Sequence, residues 1–312
     1  MFRRIFVFAA FSASLLVAPA ESAMAQPNKV IFGQTDSLIY MAVHVAKAKG
    51  YFAEEGLDAE IRLFRGGVQA LAAVIAGDAN VYLGPASTAM KAIVKGQDVK
   101  VFGSIMTQIP TNLVIQGDIA KERGITASST IEQRMAALKG LTMGINAPGS
   151  APDQVLRFAL RTSGMDPERD ATISPVGGGA ALVASFEQRR IDGFAWSSPA
   201  SDMAVDKFGG TMLVSFVKGE YPPLRGFLYL GMISRNDWLE QNPERAAAVI
   251  RAVWKAQRLI HEKPAEAREA QRTFFKSMDE YSFNAGFAAN ANAIPTTPRV
   301  ERRSVELARR PG

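Results

Sequence analysis

Small polar residues gather where apolar runs of this chain end. Gln34-Thr35-Asp36-Ser37 closes the first such run, and Arg65-Gly66-Gly67, Pro85-Ala86-Ser87-Thr88 and Met106-Thr107-Gln108 close the next three. Further on come Asn146 to Ala151, Gly177 to Ala180, and Trp196 to Ser198. At the start of a helix such residues offer free backbone N–H groups and small hydroxyls, which suit an anionic or polar small ligand. One cluster alone is equally ordinary loop and capping chemistry. The set, at matching positions in two halves of the chain, points to a shared cleft. The candidate contacts are Gln34, Ser37, Tyr40, Arg65, Gly66, Gly67, Ser87, Thr88, Thr107, Asn146, Ser150, Gly178, Trp196 and Ser197. Arg65 is the one cation of the set: either a partner for a ligand oxyanion or a solvated surface arginine. Trp196 and Tyr40 are open between ligand wall and core. Asp36 reads as a cap or a surface residue.

Nothing in the sequence points to catalysis, and no cofactor is expected. With no cysteine, disulfides, thiolate metal sites and catalytic thiols are excluded. The only two histidines, His44 and His261, lie far apart, which excludes a histidine-rich metal site within the chain. His44 reads as half-buried packing and His261 as part of an exposed stretch. There is no Gly-x-Ser-x-Gly, no His-Glu-x-x-His, and no Gly-Lys-Ser/Thr after Gly177-Gly178-Gly179. Net charge is +6, and five arginines against two glutamates in residues 299–312 carry +3 of it. A basic excess held in one tail is no nucleic-acid footprint, so no nucleic-acid partner is expected.

The 312 residues, 47% hydrophobic and 21% charged, suit about two globular domains. Strand and helix signals alternate: strands over Lys29–Gly33, Leu57–Phe64, Asn80–Leu83 and Val99–Ile105, with helices between them. The pattern restarts at Leu141–Ile145, followed by a helix over Ala151–Ser163 with Ser150 or Asp153 near its start. It continues through strands at Ala171–Val176, Ile191–Ala195 and Met212–Phe216. This alternation predicts an α/β fold with mostly parallel sheets. In such sheets ligands bind beyond the carboxyl ends of the strands, where the polar clusters sit. After Tyr221-Pro222-Pro223 an extended stretch, Gly226–Ser234, precedes helices over Asp237–Gln241, Pro243–Lys263, Pro264–Lys276 and Arg299–Arg310. The apolar face of the second of these is read through Ala247, Ile250, Val253, Trp254 and Leu259.

Residues 1–25 read as a secretory signal: Arg3-Arg4, an apolar run over Ile5–Ala18, and the small-x-small pair Ala23 and Ala25 before Gln26. Removal of Arg3, Arg4 and Glu21 with it leaves a net charge of +5. The run is short for a spanning helix, which needs about 20 apolar residues. Export without a lipid-modified cysteine predicts a periplasmic protein.

Ala46-Lys47-Ala48-Lys49-Gly50-Tyr51-Phe52-Ala53-Glu54-Glu55-Gly56-Leu57-Asp58 resembles a signature of periplasmic solute-binding proteins of ABC importers, in the nitrate, sulfonate and taurine branch. Gly66-Gly67 followed by Ala73 to Ala79, the segment Leu138 to Ile145, the Gly164-Met165-Asp166-Pro167 turn and Gln188 to Gly193 are similar to later segments of that family, in the same order. The resemblance implies a type II clamshell of two lobes, each a mostly parallel sheet flanked by helices. Lobe I would hold residues 26–116 and 225–312 and lobe II residues 117–224, with crossings near Thr111–Gln116 and Pro222–Tyr229. It implies a monomer that captures a small-molecule ligand between the lobes and hands it to a membrane permease, without chemistry of its own. Ser198-Pro199 stands where the family often has Glu-Pro, which favours an anionic ligand of the sulfonate, carboxylate or nitrate class. The ending Ala308-Arg309-Arg310-Pro311-Gly312 is shorter than the family pattern and reads as truncated or altered. Two alternatives stay open: a periplasmic sensor on the same fold, and an enzyme like the thiamine-pyrimidine synthases. The missing cysteines and the export signal speak against the second.

Overall fold

A computed structural model describes residues 28–308. The expected signal segment and the last four residues lie outside the described residues. Among the described residues, ten strands form two five-stranded sheets. The first contains β1 (Lys29–Gln34), β2 (Asp58–Leu63), β3 (Val81–Pro85), β4 (Val99–Met106) and, far later in the chain, β10 (Leu230–Arg235). The second contains β5 (Asn112–Gln116), β6 (Thr142–Ile145), β7 (Thr172–Pro175), β8 (Gly193–Trp196) and β9 (Gly210–Ser215).

The two sheets share one plan. Their strand orders are β2-β1-β3-β10-β4 and β7-β6-β8-β5-β9. In the first, β1 runs parallel to β2 and β3, while β10 is antiparallel to β3 and β4. In the second, β6 runs parallel to β7 and β8, while β5 is antiparallel to β8 and β9. The antiparallel strand of each sheet is thus the first one the chain lays down after leaving the other sheet. Asn112–Gln116, expected as part of a crossing, is wholly buried strand, and the chain passes between sheets within residues 107–111. Its Asn112 and Gln116 hide their polarity from a sequence reading. Asn112 Nδ2 donates to Ser201 Oγ at 2.9 Å, and Gln116 Nε2 donates to the carbonyl of Phe186 at 2.7 Å.

Helices cover both faces of each sheet, so inner strands read as nearly continuous apolar runs. In the first unit Val30 and Phe32 meet Met41, Val45 and Phe52, with the Phe32 and Phe52 rings 5.0 Å apart. The opposite face packs Tyr82 and Ile233 against Leu71 and Val74. In the second unit Leu113 and Ile115 pack with Met143, Leu156 and Leu160, and Phe186 with Phe194 fills the other side.

The helix Pro243–Glu262 buries Ala246, Val249, Val253, Ala256 and Ile260 against the first sheet. That stripe follows the 3.6-residue period. Trp254, expected on it, lies one residue and therefore about 100° away. It is 45% exposed, with the Arg258 guanidinium 5.9 Å from its ring. The next helix ends at Arg272, earlier than expected, and a further helix spans Glu280–Ala291. Its alanines blur the contrast between faces, but Asp279 caps it by accepting from Ser282 N at 2.9 Å.

Candidate functional site

The carboxyl ends of β1 and β8, one from each sheet, meet at a gap. A cavity of about 420 Å³ lies there. One wall is Asp36 to Ile39, the segment that follows β1, and the facing wall is Ser197 to Pro199, which follows β8. A third wall comes from the C-terminal helices: Phe274, Phe275, Ser277, Met278 and Asn290.

Of the residues singled out by sequence, Ser37 and Ser197 line this cavity. Ser37 also caps the 3-10 turn Leu38–Tyr40, its Oγ accepting from Ile39 N at 3.5 Å. Gln34 ends β1 on the same face as Val30 and Phe32, as period-two alternation requires, and is 1% exposed. Its Nε2 donates to His44 Nε2 at 2.7 Å. That bond requires an unprotonated Nε2, which puts the ring proton on Nδ1; Nδ1 and Gln34 Oε1 have no partner. His44 is fully buried, more than the half-burial expected, and burial alone lowers its pKa to about 3.

Tyr40 is buried as well, its hydroxyl 3.0 Å from Thr35 Oγ1. Tyr82 and Tyr229 lie near it. Burial, with Tyr40 as the second cause, pushes the Tyr229 phenol up to about 12 and raises Tyr82 further. All three therefore stay neutral at any physiological pH. Gly66 precedes the helix Gly67–Ala76, and a Cβ on Gly67 would stand 2.7 Å from Tyr82 Oη, so only glycine fits there. Arg65 is exposed just before them. Ser87 and Thr88 open the helix Ala86–Val94, half-buried. Thr107 follows β4, its N–H donating to the Ala293 carbonyl at 2.9 Å.

On the second sheet, Asn146 follows β6 with its Oδ1 buried and unpartnered. Ser150 is occupied as the cap of the helix Ala151–Thr162, its Oγ accepting from Asp153 N at 3.4 Å. Gly178 is exposed before the helix Gly179–Glu187. Trp196 ends β8 and lines a separate recess of about 440 Å³ between that helix and the helix Ala200–Phe208. A Cβ on Gly179 would come within 2.7 Å of Trp196 Nε1, so the glycine lets the indole approach the helix start closely.

The cavity walls contain the hydroxyls of Ser37, Ser197, Ser198 and Ser277, the Asn290 carboxamide and one carboxylate, Asp36. Ser198 Oγ is buried without a partner. Donors of this kind can satisfy an oxyanion or another polar head group. A sequence reading misses Phe274, Phe275, Ser277, Met278 and Asn290 because they reach the cavity from the far end of the chain. The adjacent Phe274-Phe275, directly after a highly charged helix, is the one local signal. Outside the cavity, Tyr281 of the helix Glu280–Ala291 bonds Asp206 of the helix Ala200–Phe208, so the two units also touch directly. Among the described residues no cluster of three metal-ligating side chains occurs, and no helix is long and apolar enough to cross a membrane.

The sequence profile of the NMT1-like family matches residues 24–274. A 120-residue segment, 38% of this chain, is 32% identical to the nitrate/nitrite binding protein NrtA of Nostoc sp. (strain PCC 7120), of whose length it spans only 26%. Among solved structures, the periplasmic aliphatic sulphonate binding protein SsuA from Escherichia coli superposes with a TM-score of 0.70 at 17% identity, over 90% of this chain and 89% of that one. The periplasmic nitrate-binding protein NrtA from Synechocystis PCC 6803 gives 0.56 at 17% identity, over 84% and 68%. These likenesses identify the fold as the two-lobed α/β fold of periplasmic binding proteins.

Proposed function

The chain belongs to the NMT1-like family, and from that premise we propose that it is the periplasmic substrate-binding component of an ABC importer. In this reading a monomer captures a small organic or inorganic oxyanion, of the sulfonate, carboxylate or nitrate class, and delivers it to a membrane permease. The observation that carries it is the cavity between the end of β1 and the end of β8. Its walls belong to two units joined by short crossings, so a ligand that touches both walls favours the approach of one unit to the other. With β5 a member of the second sheet, lobe I is proposed to hold residues 26–111 and 225–312, and lobe II residues 112–224, rather than dividing after Gln116.

Several features support an oxyanion. Seryl hydroxyls from both units and Asn290 face the cavity, and Ser198 Oγ has no internal partner. Arg65 has no ion pair among those of the described residues and is proposed to supply a positive potential at the rim. Gly66, Gly67, Ser87 and Thr88, with Asn146 and Gly178 opposite, are proposed to extend the site along the strand ends. Gln34 and Tyr40 are assigned a supporting place behind the cavity wall rather than contact with the ligand.

A thermal-shift screen of the chain from Gln26 tests this reading, with alkane- and arenesulfonates, carboxylates and nitrate as probes. A ligand at about 100 times its Kd adds roughly 2.7 kcal/mol, and at least one of these probes should raise the melting temperature. Arg65→Ala should weaken that ligand without lowering the ligand-free melting temperature. A cooperative melt that none of the probes moves defeats the proposal.

A further inference from the structure

The cavity has an apolar wall that the strand ends do not supply. Phe274 is 39% exposed, one of few large hydrophobic side chains left so open among the described residues, and its ring lines the cavity. It is not loose. The His44 imidazole stacks against it with ring centroids 4.7 Å apart and planes 22° from parallel. Phe275 meets the same imidazole edge-on at 5.5 Å. His44 in turn is held by Gln34. Phe274 is therefore a ring clamped from behind and open toward the space between the units.

Size points the same way. A bare inorganic oxyanion is comparable to one or two water molecules, about 30 Å³ each in the liquid. It would leave most of a 420 Å³ cavity filled with water. The remaining space, walled by Phe274, Phe275 and Met278, suits the apolar body of an organic ligand whose polar head meets the serines. Aromatic faces pair best with other flat rings in offset or edge contact.

We propose that Phe274 is a specificity-determining residue of this site, stacking on a flat apolar ligand body so that an aromatic acid is preferred over a short aliphatic acid or an inorganic oxyanion. The proposal rests on the reading of the cavity as an oxyanion-binding site. It is tested by titration calorimetry with three probes of one charge: benzenesulfonate, ethanesulfonate and nitrate. Benzenesulfonate should bind about tenfold tighter than either of the others. Phe274→Ala should remove most of that preference and change ethanesulfonate affinity by less than about twofold, while Phe274→Trp should retain it. Phe274→Leu, which keeps apolar volume without a ring, should behave as the alanine variant does and guards against a folding defect. Nitrate or ethanesulfonate binding as tightly as benzenesulfonate overturns the proposal and leaves the importer reading standing. So does a preference that survives Phe274→Ala. If none of the three binds the wild-type chain, this proposal falls, while the importer reading is decided separately by the carboxylates of the thermal-shift screen.

Discussion

The Tyr281 hydroxyl donates a 2.7 Å hydrogen bond to Asp206 Oδ2, tying a helix packed beside the first sheet to a helix of the second. Lys207 adds its ammonium 4.6 Å from the centre of the same ring. Burial, followed by the Asp206 carboxylate, raises the Tyr281 pKa, so the phenol keeps its proton and remains a donor well above neutral pH. Separation of the two units would break this contact. Tyr281→Phe keeps the ring over Lys207 and removes the donor. It should weaken ligand binding by about two- to tenfold, the equivalent of one hydrogen bond of roughly 0.5–1.5 kcal/mol. Calorimetry measures the affinity and small-angle scattering the shape. Unchanged affinity together with an unchanged radius of gyration would disconnect this contact from closure.

His44 gives the stability a pH dependence of known sign. Its folded pKa of about 3 lies below the unfolded value of about 6.5. Above pH 6.5 the ring is neutral in both states and the fold suffers no penalty. As pH falls from 6.5 toward 3, the unfolded chain takes up a proton that the folded chain refuses, and about 5 kcal/mol is progressively lost. His44→Phe should be less stable at neutral pH, since Gln34 loses its partner, but should lose less stability on acidification. Chemical denaturation at several pH values compares the slopes; parallel curves would contradict the assignment.

Trp196 should report ligand binding. It ends β8 beside Ser197, which lines the cavity, and is partly exposed, whereas Trp238 is buried in the first core. Ligand should change the intrinsic fluorescence of the wild-type chain, and Trp196→Phe should abolish most of that change. Gly179→Ala should shift the ligand-free spectrum as well, because a methyl there meets the indole at 2.7 Å. A ligand-induced signal that persists in Trp196→Phe would place its source elsewhere.

Gly67 and Tyr82 should be coupled. A Cβ on Gly67 meets the Tyr82 hydroxyl at 2.7 Å, and the next ring atom is 3.7 Å away, at ordinary contact distance. Gly67→Ala should therefore cost about 1–3 kcal/mol through overpacking. Tyr82→Phe removes a buried hydroxyl that makes no well-formed hydrogen bond, with Thr88 beside it, so it should be near neutral. The double variant should be more stable than Gly67→Ala alone. Additive losses in a double-mutant cycle would show that the clash is relieved some other way.

The fold is legible in the sequence where apolar runs end in small polar turns. β1, β3, β6 and β8 are such runs, and the helices after them carry clear starts, as at Ser150. β5 is not legible as a strand, because its flanking Asn112 and Gln116 are polar residues whose partners come from distant parts of the chain. The site is legible in part for the same reason. Strand-end chemistry picks out Ser37 and Ser197, which share the cavity, while Phe274 and Asn290 arrive through tertiary packing that no local pattern announces. The inward turn of Gln34 is foreshadowed by alternation, since it shares its face with Val30 and Phe32. The exposure of Trp254 follows from one residue of helical phase.

The placement of β10 also governs how the chain can mature. Among the described residues β4 pairs only with β10, and β3 uses β10 as its second neighbour. A chain emerging N-terminus first therefore holds β3 and β4 with open hydrogen-bonding edges until Leu230–Arg235 appears. The second sheet is complete once Ser215 is out, because β5 to β9 are contiguous. The half made last is the half begun first. Open strand edges invite pairing with other chains, so this long wait is the interval in which a chaperone would matter most.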